Sequence, residues 1–258
     1  MAIDYFGAGV LFATPLNDAY GTAIALPSPI QFGIVQDITI DDSADVKELY
    51  GANQYPVDIG RGKAKLAIKC KQAQFSAELF NSIYFGQSLV AGYDAVYADS
   101  IGTNATAAVA ITPTSPFGGT STFVADLGVQ SGNGVPYTRV TSSPTSGQYS
   151  LSGETYSFSP VDVAAGAVVF ISYQYANSTN PGTGKLLTVN NLPMGSVPVF
   201  SAQFFNSRNG HTVWRKFPRC VATKLSMDFK NDDFSIPDLE MSCFADSNNV
   251  AQYWGFTE

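Results

Sequence analysis

The feature that most constrains the fold is segment 62–71, in which apolar and basic side chains alternate. One side of an extended chain would carry Ala64, Leu66, Ile68 and Cys70, and the other Lys63, Lys65, Lys69 and Lys71. Successive side chains of a strand point to opposite faces, so the pattern predicts a half-buried β-strand. Segment 32–41 alternates too, with Ile34, Gln36, Ile38 and Ile40 opposite Val35, Asp37, Thr39 and Asp41.

The connection between these two strands, residues 42–61, is also informative. At roughly 20 residues it is too long for a simple hairpin loop. It carries the apolar side chains Val46, Leu49, Tyr50, Tyr55, Val57 and Ile59. We therefore predict a projecting functional loop whose apolar side chains bind a partner surface, either in the same subunit or in another.

Residues 73–86 predict a short amphipathic helix. Phe75, Leu79 and Ile83 recur at positions i, i+4 and i+8, and Phe80 widens the stripe. Ser76 is a suitable N-cap and Gly86 a suitable stop. We expect a sheet to cover one side and a neighbouring copy to contact Phe75, Leu79 and Phe80.

The rest of the chain predicts strands. Residues 99–180 are rich in Ser, Thr, Gly and Pro, with turn signals between short strand patterns at residues 107–111, 123–129, 137–141, 155–158 and 168–175. Strands return after residue 186, where Asn209-Gly210 marks a hairpin and a second turn is predicted around residues 231–233. We therefore predict a mainly β protein: a core domain of residues 1–98 and 181–258, consisting of two packed sheets and one short α-helix, and an inserted β-rich module of residues 99–180.

The composition of the chain limits its possible functions. The chain of 258 residues has a net charge of −7, and only 14% of its residues are charged, against about 25% in typical domains. The acidic balance excludes nucleic-acid binding through a global basic field, and the low charge suits a surface that other copies cover. Three cysteines without CxxC spacing predict reduced thiols. With no signal peptide and no apolar span, we expect folding in a reducing cytoplasm.

Catalytic motifs find little support. His211 is the only histidine, and there is no GxSxG elbow for a nucleophile. The run Asn180–Lys185 lacks the first glycine and the Ser or Thr of a phosphate-binding loop. We predict no catalytic residue, no metal and no cofactor, and hence no enzyme, while Asp238 with Glu240 leaves an acid-pair hydrolase as an alternative.

Several segments resemble the tail tube (major tail) proteins of tailed bacteriophages. The most specific are Leu49–Lys63 and Ala73–Gly86. The weaker ones are Tyr156–Phe158 with Val168–Tyr175, Leu192–Gly195, and Arg219–Ala222 with Phe234–Pro237. Together they spread over about residues 32–245, whereas the Gly/Pro-rich N-terminus has no counterpart.

The resemblance implies a structural subunit of a virion tail, assembled in the host bacterial cytoplasm. Six copies would form a ring whose inner sheets join into a barrel, and rings would stack into a tube through which DNA passes without specific binding. The 42–61 connection would reach an adjacent ring. The implied partners are the chain itself, the tape measure protein, the tail terminator, and distal tail or baseplate proteins.

Two further expectations concern the surfaces of such a tube. The lumen candidates are Asp37, Asp41, Lys63, Lys65, Lys69, Lys71, Asp238 and Glu240, with the lysines either neutralised by acids on adjacent strands or facing another subunit. Residues 99–180 would lie outside, which favours a tail without a contractile sheath. The main alternative is a β-sandwich that binds carbohydrate or sits on a virion surface.

Overall fold

The computed structural model describes residues 6–74, 76–102, 110–113, 121–177 and 184–257. It is mainly β, with several antiparallel sheets, as the sequence predicts. The chain forms two compact units: unit 1 is Met1–Ser88 with Thr188–Glu258, and unit 2 is Leu89–Leu187. Unit 2 therefore begins before residue 99 and ends after residue 180. The reason is that the strand Tyr93–Gly102 pairs with Val168–Asn177, and the strand Leu89–Ala91 pairs with Lys185–Leu187.

The described elements comprise 17 strands, two α-helices and a π-helical turn. In chain order they are β1 (Val10–Asn17), β2 (Ile30–Gln31), β3 (Val35–Tyr50), β4 (Pro56–Gln72), α1 (Ala77–Phe80), the π-helical turn (Asn81–Phe85), β5 (Leu89–Ala91), β6 (Tyr93–Gly102), β7 (Ala110–Ile111), β8 (Ser121–Ser131), β9 (Thr138–Val140), β10 (Gln148–Ser152), β11 (Thr155–Phe158), α2 (Pro160–Ala164), β12 (Val168–Asn177), β13 (Lys185–Leu187), β14 (Val199–Arg208), β15 (His211–Ser226), β16 (Asp238–Phe244) and β17 (Tyr253–Phe256).

Unit 1 contains one eight-stranded sheet. Its strands follow the order β2-β1-β14-β15-β16-β4-β3, and β17 adds to β15. The apolar face of the sheet forms the core with Leu79 and Ile83 of the helical segment. Leu66, Ile68 and Cys70 of β4 are buried in that core, which confirms these three apolar positions of the predicted alternation. Ala64 is exposed instead, because β16 pairs with β4 only from Leu66 onward.

The first alternating strand differs from the prediction at its start. The pairing of β3 with β4 shifts register between Val35 and Asp37, so Val35 lies opposite Gln72 and Asp37 opposite Lys71. A bulge of this kind reverses the side-chain phase. Val35 therefore packs against the core, and Ile34, predicted on the core side, is exposed.

The helical segment begins later than the sequence indicates. It starts at Ala77 rather than at residue 73, and it continues through the π-helical turn to Phe85. Both predicted capping residues are confirmed. Ser76 is the N-cap, with its side chain accepting a hydrogen bond from Leu79 N, and Gly86 ends the segment in the left-handed conformation, with φ of 59°. Phe75 lies outside the described residues.

The hairpin predicted at Asn209-Gly210 is confirmed. These two residues join β14 to β15 with φ angles of 52° and 83°. Positive φ at both positions is the requirement of a type I′ turn. The next connection, from β15 to β16, spans residues 227–237, and it is longer than the turn predicted around residues 231–233.

Unit 2 is a sandwich of two sheets. One sheet has the order β7-β11-β10-β9 and the other β6-β12-β8, while β13 pairs with β5. Inward side chains of both sheets form one core that is rich in tyrosine, together with Val163 of α2. The sequence predicts strands at β7, β8, β9, β11 and β12 but does not predict β10 or α2.

Candidate functional site: the surfaces of unit 1

The connection between the first two core strands is a two-stranded ribbon rather than a loop. Strand β3 runs to Tyr50 and β4 starts at Pro56, so only residues 51–55 turn the chain. Strand β16 pairs with β4 only from Leu66 to Lys71, and the outer part of the β3–β4 pair therefore has no third strand in the sheet. Each strand of this outer part therefore pairs on one side only, and its other edge leaves backbone groups open to solvent or to a further strand.

The ribbon carries an apolar face. Glu48 lies directly opposite Ile59, and Val46 opposite Arg61. Directly paired residues share a face of an antiparallel ladder, and Tyr50 joins this face because its hydroxyl donates a hydrogen bond to Glu48. This bond raises the pKa of the Tyr50 hydroxyl. Val46, Tyr50 and Ile59 are all exposed, and we call them the ribbon face.

The other predicted contact residues of this segment are distributed differently. Leu49 lies opposite Asp58 on the other side of the ribbon, Val57 lies at a register shift, and Tyr55 lies in the turn. All three are exposed. The structure therefore separates Leu49 from Tyr50, which the sequence grouped together.

The predicted contact role of Leu79 and Phe80 is wrong. Leu79 is fully buried and Phe80 is 2% exposed within the single chain, and Leu79 belongs to the core of unit 1. The amphipathic pattern correctly indicates a buried stripe. That stripe packs against the sheet of its own unit, so neither side chain offers a surface to another copy.

The polar face of β3, β4 and β16 brings together most of the predicted lumen residues. Lys71 lies between Asp37 and Asp238 in register, and Lys69 lies between Thr39 and Glu240. Lys65 lies opposite Ser43, and Asp41 opposite Ala67. Lys63 lies where the register shifts between Ala44 and Val46, outside this regular pattern.

Glu240 forms one ion pair with β4 and one with β15. Its carboxylate lies 3.9 Å from the ammonium of Lys69 and 3.5 Å from the ammonium of Lys224. Sequence reasoning missed Lys224 because β15 has a register shift between Ala222 and Lys224, which breaks the alternation that would have revealed it. Four acids (Asp37, Asp41, Asp238, Glu240) and four lysines (Lys65, Lys69, Lys71, Lys224) therefore share this face, and Arg219 of β15 lies on it too, opposite Phe244.

The cavity at this polar face is small. Asp37, Lys69, Lys71, Asp238 and Glu240 line it, and its volume is about 150 Å³. Sites for small organic ligands usually measure about 300–1,000 Å³. The volume therefore disfavours a substrate pocket between Asp238 and Glu240, although both acids line the cavity.

A second surface feature of unit 1 is an aromatic cluster on β17. Trp254 and Phe256 stack with ring centroids 5.7 Å apart, and both are exposed. The guanidinium of Arg215 lies 3.8 Å from the centroid of Trp254. Arg215 also donates a hydrogen bond to Gln252, and burial lowers the pKa of its guanidinium. Trp214 lies over Gly255, so a Cβ at that glycine would meet the indole at 2.0 Å.

Unit 2 holds a buried carboxylate, Asp126. It accepts hydrogen bonds from the hydroxyls of Tyr149 at 2.6 Å and Tyr156 at 3.0 Å, and Arg139 lies 3.5 Å away. Burial and the neighbouring carboxylate raise the pKa of both phenols. The hydrogen-bonding groups of this network have partners. The network therefore favours one arrangement of the unit 2 core rather than forming a reactive centre.

Groups suited to catalysis do not assemble around His211. Its Nδ1 lies 3.3 Å from the carbonyl oxygen of Thr257 at the surface. Within the described ranges, no three His, Cys, Asp or Glu side chains are grouped as metal ligands. No helix in the described part of the chain is long and apolar enough to cross a membrane.

Comparison with known proteins adds no family. No protein-family model matches the chain, and no curated protein matches it. The class of protein that the fold defines is therefore a mainly β chain of two units, one with an extended ribbon and a charged sheet face.

Proposed function

We propose that the chain is a structural subunit of a bacteriophage tail tube, self-assembling into stacked hexameric rings that form a channel for DNA. The observation that carries the proposal is the ribbon face. Val46, Tyr50 and Ile59 are exposed together on a hairpin that extends past the sheet. Glu48 and Arg61 lie beside them on the same face, and exposed apolar side chains bordered by charged ones are typical of an interaction site.

The polar face of β3, β4 and β16 supports the channel part of the proposal. A wall along which DNA slides must not bind phosphates, and lysines unbalanced by acids would do so. In register, Lys69 lies opposite Glu240 and Lys71 lies between Asp37 and Asp238, so carboxylates flank both central lysines of β4. This placement supports the first of the two arrangements expected for the lysines, in which acids on adjacent strands offset their charge.

Electron microscopy of the purified full chain tests the assembly. Negative-stain images should show rings or tubes, and sedimentation should show species of many subunits. A monodisperse monomer at the highest soluble concentration would refute the proposal.

A charge-neutralising pair of changes tests the DNA path. Asp238→Asn with Glu240→Gln removes two negative charges per copy from the polar face. Assembled particles should then eject DNA more slowly at low salt, with recovery at high salt through counterion competition. Asp232→Asn with Asp233→Asn, in the 227–237 connection, makes the same charge change elsewhere and should leave ejection unchanged. Parental ejection rates for both pairs at both salts would show that this face does not line the path.

A carbohydrate-binding module is the second candidate. The exposed Trp254–Phe256 stack favours it, because a flat aromatic surface offers an apolar platform beside polar groups. Glycan binding by a monomer, abolished by Trp254→Ala, would support this candidate, and the absence of glycan binding would reject it.

A further inference from the structure

Two cysteines of unit 1 face each other across neighbouring strands. Cys220 of β15 lies directly opposite Cys243 of β16, and their sulfur atoms are 3.0 Å apart. Both are free thiols. The sequence alone predicts three separate buried thiols, because the 22 residues between Cys220 and Cys243 conceal their pairing.

The backbone geometry suits a covalent bond between them. Directly opposite residues of an antiparallel pair have Cα atoms about 4.5–5.5 Å apart, which lies inside the range of about 4.4–6.8 Å found in disulfides. A disulfide bond is about 2.0 Å long, so the two sulfurs need to approach by only about 1 Å. Cys70 has no such partner, since it lies opposite Ile38 and Leu239.

The two thiols differ in accessibility. Cys220 is fully buried, and burial with the contact to Cys243 raises its pKa well above the ordinary value. Cys243 is partly exposed near the end of β16. A reagent in solution therefore reacts with Cys243 first. Cys220 then lies within reach of the product formed on Cys243.

We propose that Cys220 and Cys243 form a site for a reversible cross-strand disulfide, closed by a low-molecular-weight disulfide such as oxidised glutathione. The Cys243 thiolate attacks one sulfur of the reagent, forms a mixed disulfide and expels a glutathione thiolate, which takes up a proton. The Cys220 sulfur, losing its proton to solvent, then attacks the Cys243 sulfur and expels the second glutathione. Two protein thiols are oxidised, and one oxidised glutathione is reduced to two molecules of the thiol.

The bond would fasten β15 to β16 at one end of their ladder. It would close a loop of residues 220–243, which includes the 227–237 connection. Restricting a loop of this length in the unfolded chain stabilises the folded state. The inference does not depend on the tail tube proposal, because it concerns only chemistry within one chain.

Thiol mapping of the native full chain tests the proposal. After treatment with oxidised glutathione and removal of the reagent, the intact mass should fall by the mass of two hydrogen atoms. Unfolding and alkylation should then label Cys70 alone, and peptide mass spectrometry should find Cys220 linked to Cys243. The melting temperature of the oxidised protein should rise by on the order of 10 °C, and dithiothreitol should reverse the rise.

Two variants provide the controls. Cys70→Ala should still form the disulfide, whereas Cys243→Ser should lose both the mass change and the rise in melting temperature. A lasting glutathione adduct on Cys243, three alkylated cysteines, or a disulfide that includes Cys70 would each overturn the proposal. The mapping of the unsubstituted chain decides the matter even if a variant fails to fold.

Discussion

Replacing Ile59 by serine tests whether copies of the chain bind one another through the ribbon face. Ile59 is 59% exposed and lies between Val46 and Tyr50 on that face. Serine removes most of the apolar surface and leaves the backbone ladder unchanged. Because the side chain has little contact within its own subunit, the change should act on assembly rather than on folding.

The size of the effect follows from the exposed fraction. Burying a whole isoleucine side chain contributes about 1.5–3 kcal/mol, so covering the exposed part of Ile59 contributes about 1–2 kcal/mol per copy. A difference of about 1.4 kcal/mol changes an equilibrium constant tenfold. The critical concentration for polymer formation should therefore rise about 5- to 30-fold in Ile59→Ser.

Leu49→Ser is the matched control. Leu49 is 63% exposed but lies on the opposite side of the ribbon, paired with Asp58. The critical concentration is read from the protein left in the supernatant after pelleting, and circular dichroism shows that both variants stay folded. Equal effects of the two substitutions, or no effect of Ile59→Ser, would refute the assignment of the binding surface to the ribbon face.

Three further predictions concern stability. Burial, with a contribution from the nearby Asp238, raises the pKa of Cys70 to about 12, so the unfolded chain loses this proton first as pH rises above about 9. Loss of this proton in the unfolded chain should then lower the free energy of unfolding by about 1.4 kcal/mol per pH unit, up to about pH 12. Cys70→Val should therefore reduce the dependence on pH of the free energy of unfolding measured by urea titration. Gly255→Ala should displace Trp214 and shift tryptophan fluorescence. Asp126→Ala should leave two buried phenols without their acceptor, lowering the stability of unit 2 by about 2–5 kcal/mol in thermal denaturation.

Each of these predictions has an outcome that would contradict it. An unchanged alkaline slope in Cys70→Val would show that another group controls it. Gly60→Ala, where a Cβ meets only a carbonyl oxygen at 3.9 Å, should leave fluorescence unchanged, and an equal shift in both glycine variants would remove the steric explanation. Parental melting of the Asp126 variant would mean that water replaces the carboxylate at no cost.

Local signals in the sequence are the ones that predict structure correctly. Ser76 and Gly86 mark the helix ends because caps depend on neighbouring backbone groups, and Asn209-Gly210 marks its hairpin because only a few residues accept positive φ. The ribbon could not be predicted in this way. Both its faces are exposed, so it lacks the one-sided alternation by which a half-buried strand is recognised.

Register shifts explain most of the remaining errors. The shift between Val35 and Asp37 exposes Ile34, and the shift between Ala222 and Lys224 hides Lys224 from a search for alternation. A bulge depends on pairing with a partner strand. A single sequence does not show where the partner strand lies. Predictions of which face a side chain occupies are therefore expected to be wrong by one residue wherever a bulge occurs.

The pairing of acids with lysines on the polar face also depends on the positions of the partner strands. The sequence names the candidate acids for the lysines of β4 but not which acid meets which lysine, because β16 lies far along the chain. A slip of one residue between these strands would turn every side chain to the other face, placing Glu240 against the core. Burial of Leu239 and Met241 prevents this slip. The apolar core therefore also sets the alternation of charge outside it, and Glu240 meets Lys69 and Lys224 because its two neighbours on β16 are buried.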